Sequence, residues 1–263
     1  MTGPRRLAEM SWPDIAELVT AGESLCVLPV GATEQHGRHL PIGTDTFLVE
    51  AFCDEASERT GVPLLPPLAV SSSHAHTTNW PGTYSLRPRQ VIDVVTELAR
   101  WVRASGFEKL LIVNAHGGNP APLTVAVDEI RCAGGLEVGL QHWFRLTPAV
   151  EAAVEADGRD WHANAAETSL MLHLRPDLVQ RDQIRDDPDR TEGLVFSYTV
   201  ARTSVDGLTG APSLASAEEG ERLFEEVVDA LAASFVAGRR ERPPQLPQAS
   251  HEGFDPVQER TPR

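Results

Sequence analysis

Apolar positions follow two alternating patterns along this chain. One is a short unbroken run. Leu25 to Val30, within residues 24–31, and Leu110 to Val113, within 109–119, contain no polar residue. Such runs predict strands buried on both faces. "LEVGLQHW" (136–143) is read as a third strand. The other pattern is helical, with apolar side chains three and four apart over 45–61, 87–106, 121–135, 164–174 and 214–238. Gly61 and Gly106 close the first two of these. "VPLLPPLAV" is apolar but broken by prolines, so a short strand or an extended run is expected. Strand followed by helix, repeated, predicts an α/β fold with a mostly parallel central sheet flanked by helices. Residues 176–213 have no clear period and are a candidate lid. The proline-rich stretch 239–263 is expected to be a disordered polar tail, which leaves residues 1–238 as one domain.

Composition narrows the class. A chain of 263 residues, 41% of them hydrophobic, can build a substantial core. Its formal charge of -15, with Lys109 the single lysine, argues against nucleic-acid and anionic-membrane partners. Cys26, Cys53 and Cys132 are too sparse for a disulfide framework and are expected as buried free thiols. That usage fits a reducing cytoplasm. The N-terminus lacks an apolar signal segment, and no apolar run is long enough to span a bilayer.

The chemistry gathers after the strands, where open α/β sheets place their sites. "VGATEQHGRHLPIGTD" (30–45) follows the first strand. Glu34 and His36 are two apart in an extended segment and can enter one pocket together. Asp45 opens the next helix, where it could equally serve the helix dipole. His116 ends the second strand in "NAHGGN". There Gly117 and Gly118 permit a sharp turn, and Asn119 with Pro120 at the first helical position suits a helix start. In "WHANAAETSLML", Asn164 and Glu167 have capping-box spacing, and His162 lies just outside that helix. One carboxylate does not easily serve both cap and site. His74 and His76 alternate as strand residues would, leaving pocket lining and plain loop both open. His39 and His142 read as ordinary. No nucleophile elbow, H-E-x-x-H, Walker loop or dinucleotide loop is present.

Glu34, His36, Asp45, His116 and Glu167 together supply two imidazoles and three carboxylates. That set suits Zn²⁺, Mn²⁺ or Fe²⁺. It is too many ligands for one catalytic zinc with open positions, and about right for two metals sharing a carboxylate.

"LPVGATEQHGRHLPIGTDT", "NWPGTYSL", "LIVNAHGGN" and "HANAAETSLML" resemble, in order, the motifs of the creatininase family of metal-dependent amidohydrolases. The resemblance implies a three-layer fold and two divalent metal ions per chain (Zn, Mn or Fe). It implies Glu34 and His116 on one metal, His36 and Glu167 on the other, and Asp45 between them. It also implies hydrolysis of a C–N amide bond, as in a cyclic amide or formamide, by a bridging hydroxide. His162 or Glu167 would move the proton, and His76, Trp80, Gly117 and Gly118 would meet the substrate. Family members often form homohexamers. Creatininase itself has a glutamate where this chain has Gly118, so the block looks more like branches that deformylate a pyrimidine intermediate or trim a modified peptide. A glycine turn is also expected to leave room for a larger substrate. The alternatives are a peptidase of the same chemistry, acting on a short peptide, and a metal-free binding or assembly protein on the same scaffold.

Overall fold

The computed structural model describes residues 3–77 and 79–244. Three strands, β1 (Leu25–Val30), β2 (Lys109–Asn114) and β3 (Glu137–His142), form a parallel sheet in the order β1-β2-β3. The registers pair Leu25 with Lys109 and Lys109 with Glu137. Among the described residues, eight α-helices accompany them: α1 (Trp12–Thr20), α2 (Thr44–Thr60), α3 (Pro88–Ala104), α4 (Pro120–Ala133), α5 (Pro148–Val154), α6 (Ala165–Leu174), α7 (Val200–Thr203) and α8 (Ala217–Arg240).

Side chains alternate across the sheet, and both faces are covered. Leu25 and Val27 of β1 join Val113 of β2 in a core closed by α2, α6 and α8. Cys26, Leu28 and Val30 point the other way, with Leu110 and Ile112, into a core closed by α3 and α4. Burial on both sides is why the first two strands read as unbroken apolar runs. The sheet layer and its two helical layers match the expected α/β architecture.

Several local expectations change. "VPLLPPLAV" stays extended and bridges to β1 only at Leu64 and Leu68, because its prolines remove ladder donors. His74–His76 form a 3₁₀ turn, not a strand, so their alternation is that of a tight turn. Asn119 makes no cap hydrogen bond. Its amide instead accepts from Ser72 N and donates to the Gly31 carbonyl and to Asn114 Oδ1, tying loops together at the sheet's carboxyl edge. Cys26 and Cys53 are buried free thiols, whereas Cys132 is exposed on the last turn of α4. The final helix ends at Arg240. The expected polar tail lies, from residue 245 onward, outside the described residues. Among the described residues, no helix is long and apolar enough to cross a membrane.

Candidate metal centre

The site is built where the three strands end. Beyond β1, Gly31 lets the start of α2 come close. A Cβ at Gly31 would lie 2.6 Å from Thr46 Cα, well inside van der Waals contact. That approach brings Asp45, in the first turn of α2, beside the loop carrying Glu34 and His36. His116 arrives from the end of β2. Glu167 comes from the first turn of α6. All five expected ligands are buried, none more than 3% exposed.

The two histidines are each fixed through the nitrogen that faces away from the cluster. His36 Nδ1 donates to the Glu34 carbonyl (3.1 Å), and His116 Nε2 donates to the Ser72 carbonyl (2.9 Å). A carbonyl can only accept, so these partners set both tautomers. His36 Nε2 then faces Asp45 Oδ1 at 3.3 Å and Glu167 Oε1 at 3.9 Å. His116 Nδ1 faces Asp45 Oδ2 at 3.1 Å and Glu34 Oε1 at 3.3 Å. Among the described residues three candidate ligand groups result: Glu34–Asp45–His116 and His36–Asp45–Glu167, with Asp45 common to both, and Glu34–His36–His162.

These atoms converge without satisfying one another. Glu34 Oε2, His36 Nε2 and Asp45 Oδ2 are buried and have no hydrogen-bond partner among the described residues. Buried orphans of this kind are costly unless a ligand completes them. Three carboxylates with no arginine or lysine among them need positive charge, and backbone-anchored imidazoles are a recurring support for a bound metal. The donor set therefore fits divalent cations, and each of the two groups that share Asp45 could hold one.

The protein's own charges already strain the cluster. Burial, reinforced by the Asp45 charge, pushes the Glu34 carboxyl up to about 7. Burial opposes charging of His116, but Glu34 and Asp45 outweigh it and hold the imidazole up at about 9. Burial also works against the Asp45 carboxylate, yet His36 and His116 outweigh it and hold its carboxyl below the usual range.

Glu167 supports the turn before α6 and faces the cluster, but not through the expected capping box: among the described residues its carboxylate makes no hydrogen bond to Asn164 N. Its Oε2 accepts from Ala163 N (2.7 Å), while Oε1 faces His36. Asn164 accepts from Glu167 N (3.1 Å), so the cap exists as well. Ala163 lies in the left-handed region (φ 49°) and turns His162 back toward the cluster. His162 Nε2 donates to the Gln35 carbonyl (2.8 Å), which leaves Nδ1 3.5 Å from Glu34 Oε1. The imidazole is pushed well below its usual pKa by burial and by His76 and His36.

The cluster forms the floor of a cavity of about 460 Å³. His74, His76, Gly117, Gly118 and His162 line it; Trp80, expected among the substrate contacts, does not. His76 is held by the Gln35 side chain (Nε2 to Nδ1, 3.0 Å) and its ring centroid is 4.2 Å from that of His162. Tyr198, Val200 and Thr209 bring the irregular segment 176–213 to the wall. Gln35, Ser72 and Asp157 were not singled out from the sequence. Asp157 ties the start of α6 to the 209–211 loop by accepting from Asn164 Nδ2, Ala165 N and Ala211 N. A buried carboxamide between two ligands, and the serine run at 71–73, are the signals that were available.

The glycine turn is only half open. A Cβ on Gly117 would meet nothing within 4 Å, but one on Gly118 would overlap the Ser72 carbonyl and sit 2.5 Å from His116 Nε2. Room for a larger substrate thus exists beside Gly117 and not beside Gly118. Gly118→Ala is expected to cost about 1–3 kcal/mol from overpacking and to loosen the His116–Ser72 bond. Denaturant unfolding together with bound-metal affinity checks both parts.

An α/β sheet carrying a buried imidazole–carboxylate cluster at its strand ends defines a class, α/β proteins with a site able to hold divalent metal at the carboxyl ends of their strands. The sequence model of the family described as creatininase, creatinine amidohydrolase, matches residues 8–235, and the chain belongs to the creatininase family. It is similar to creatinine amidohydrolase of Pseudomonas putida, with 33% identity covering 90% of this chain and 97% of that one. It is also similar to the mycofactocin precursor peptide peptidase of Mycolicibacterium smegmatis, with 34% identity covering 79% and 83%. Among solved structures, creatininase with Mn and a creatininase variant of Zn-Zn type match at TM-scores of 0.77 and 0.78. Each is 30% identical and covers 90% of this chain, and 100% and 98% of its own. The protein is a creatininase-family amidohydrolase, a hydrolase acting on C–N bonds.

Proposed function

We propose that this protein hydrolyses a C–N amide bond, of a cyclic amide, formamide or similar group, on a dinuclear divalent-metal centre. The observation that carries the reading is Asp45, whose two oxygens face different ligand groups. Glu34 and His116 would hold one ion, His36 and Glu167 the other, and Asp45 would be available to both. Bound there, the ions supply Lewis acidity toward an amide carbonyl and lower the pKa of water. His162, neutral and with Nδ1 turned to the cluster, takes and returns the proton required by the leaving nitrogen. The N–H groups of Gly117 and Gly118 stand at the cavity wall, where they can meet developing negative charge.

A second reading, trimming of a short or modified peptide, is favoured by the cavity's size and the open space beside Gly117. It uses the same centre, and a panel of cyclic amides, formamides and peptides separates the two. The same proposal keeps the protein in the cytoplasm as a homo-oligomer, a hexamer by family resemblance.

The test is metal content per chain after reconstitution with Zn²⁺ or Mn²⁺. About two ions are expected in the wild type, as a shared carboxylate requires, and both are expected to be lost or weakened in Asp45→Ala. No bound metal in the wild type would remove this reading and favour the binding-protein alternative.

A further inference from the structure

The ends of β1 and β2 feed the metal ligands, and the end of β3 also enters the cavity. It does so with a different chemistry. β3 runs into a 3₁₀ turn, Trp143–Arg145, and both Phe144 and Arg145 line the cavity. Arg159 lines it too. Its backbone is held in place, since Asp189 Oδ2 accepts from both Arg159 N and Asp160 N at 3.2 Å. Neither guanidinium is used up by the protein. Arg145 has only Glu151 at 3.9 Å, and Arg159 makes no ion pair or side-chain hydrogen bond among the described residues.

Acidic groups, Glu155 and Asp160, line the same cavity. Neither pairs with Arg145 or Arg159 among the described ion pairs. In a chain with 38 acidic and 23 basic residues, a spare acid at a rim is expected. Two arginines lining one cavity, Arg145 with a carboxylate no nearer than 3.9 Å and Arg159 with none among the described ion pairs, are not. The guanidinium fork is matched to planar anions, and Phe144 beside Arg145 (Cζ 5.8 Å from the ring centroid) gives it an apolar backing.

We infer that Arg145 and Arg159 determine specificity, by reading a carboxylate carried by the substrate at a distance from its scissile amide. The substrate class is then an amide with a remote carboxylate, such as an N-acyl amino acid or a peptide ending in a free carboxyl group. This rests on the metal-centre reading above, because the distance is counted from an amide held at the cluster.

The test is a binding measurement by calorimetry on protein reconstituted with Zn²⁺. The probes are acetohydroxamic acid, a set of ω-carboxy alkylhydroxamic acids of increasing chain length, and their methyl esters. At least one carboxy probe is expected to bind about tenfold more tightly than its ester, the gain of a charge-assisted hydrogen bond. The gain should vanish in Arg145→Gln/Arg159→Gln, which should bind acetohydroxamic acid as the wild type does. Acid and ester binding alike at every length, or a double variant that keeps the preference, would overturn the inference and leave the metal centre standing. Binding of no hydroxamate at all would instead overturn the metal-centre reading, and this inference with it.

Discussion

Stripped of divalent cations by a chelator, the protein is expected to unfold about 10 °C lower than when loaded, and the gap is expected to widen as pH rises. The size follows from linkage. A ligand in thousandfold excess over its dissociation constant adds about 4 kcal/mol, and each kcal/mol moves the midpoint by about 2–4 °C in a domain of this size. The pH dependence follows from the cluster. Without cations, Glu34, Asp45 and Glu167 are compensated only by His36 and His116, both held above the usual imidazole pKa. A group whose pKa is raised on folding stabilises the fold fully below its unfolded value, here 6.5, and that contribution is lost as pH rises through the folded value, about 9 for His116. The stripped protein therefore loses stability between these limits. The loaded protein moves the other way, because protons and metal compete for the same imidazoles. Scanning calorimetry at several pH values, with and without chelator, reads the difference directly. An Asp45→Asn variant should respond little to chelator. A wild type whose midpoint ignores chelator would contradict a built-in metal centre.

The architecture was legible because β1 and β2 are covered on both sides. Their apolar runs and the helices between them could be read without knowing which faces met. β3 was legible for the same reason only in part, since its side chains are half-buried or exposed and its pattern is weaker. The candidate ligands were legible as residue types at strand ends and helix starts. Their division into two groups came from the family resemblance and not from spacing, because it depends on how closely α2 approaches β1 at Gly31. The supports were hidden for a related reason. Ser72 acts on His116 through its carbonyl, which any residue possesses, and Gln35 acts on His162 the same way. Backbone chemistry leaves no trace in side-chain identity. The capping box and the Glu167 ligand compete for one carboxylate; in the structure the Asn164 side chain alone caps α6, and the two Glu167 oxygens go separately to Ala163 N and to the cluster.

That division of labour favours His162 over Glu167 as the group proposed to move the proton. Glu167 is engaged at both oxygens, one by Ala163 N and the other by the cluster. Both of its oxygens therefore already serve the turn that presents His162 and the cluster. His162 has one nitrogen committed and one available. Its Nε2 is fixed by Gln35, its backbone is bonded in both directions to Thr209 (3.0 and 2.8 Å), and its depressed pKa keeps it neutral at neutral pH. A neutral, oriented imidazole can accept a proton and pass it on without rearrangement. His162→Gln is expected to lower kcat by roughly 10²–10⁴-fold, the usual range for losing a general acid–base group, with KM little changed and both metals retained. Metal analysis on the variant separates this from the one competing arrangement, since His162 also lies within ligand distance of Glu34 and His36. Loss of a metal ion in His162→Gln would make the histidine a ligand, and the proton would then have to travel through another group. Retention of metal with unimpaired kcat would remove His162 from the reaction altogether.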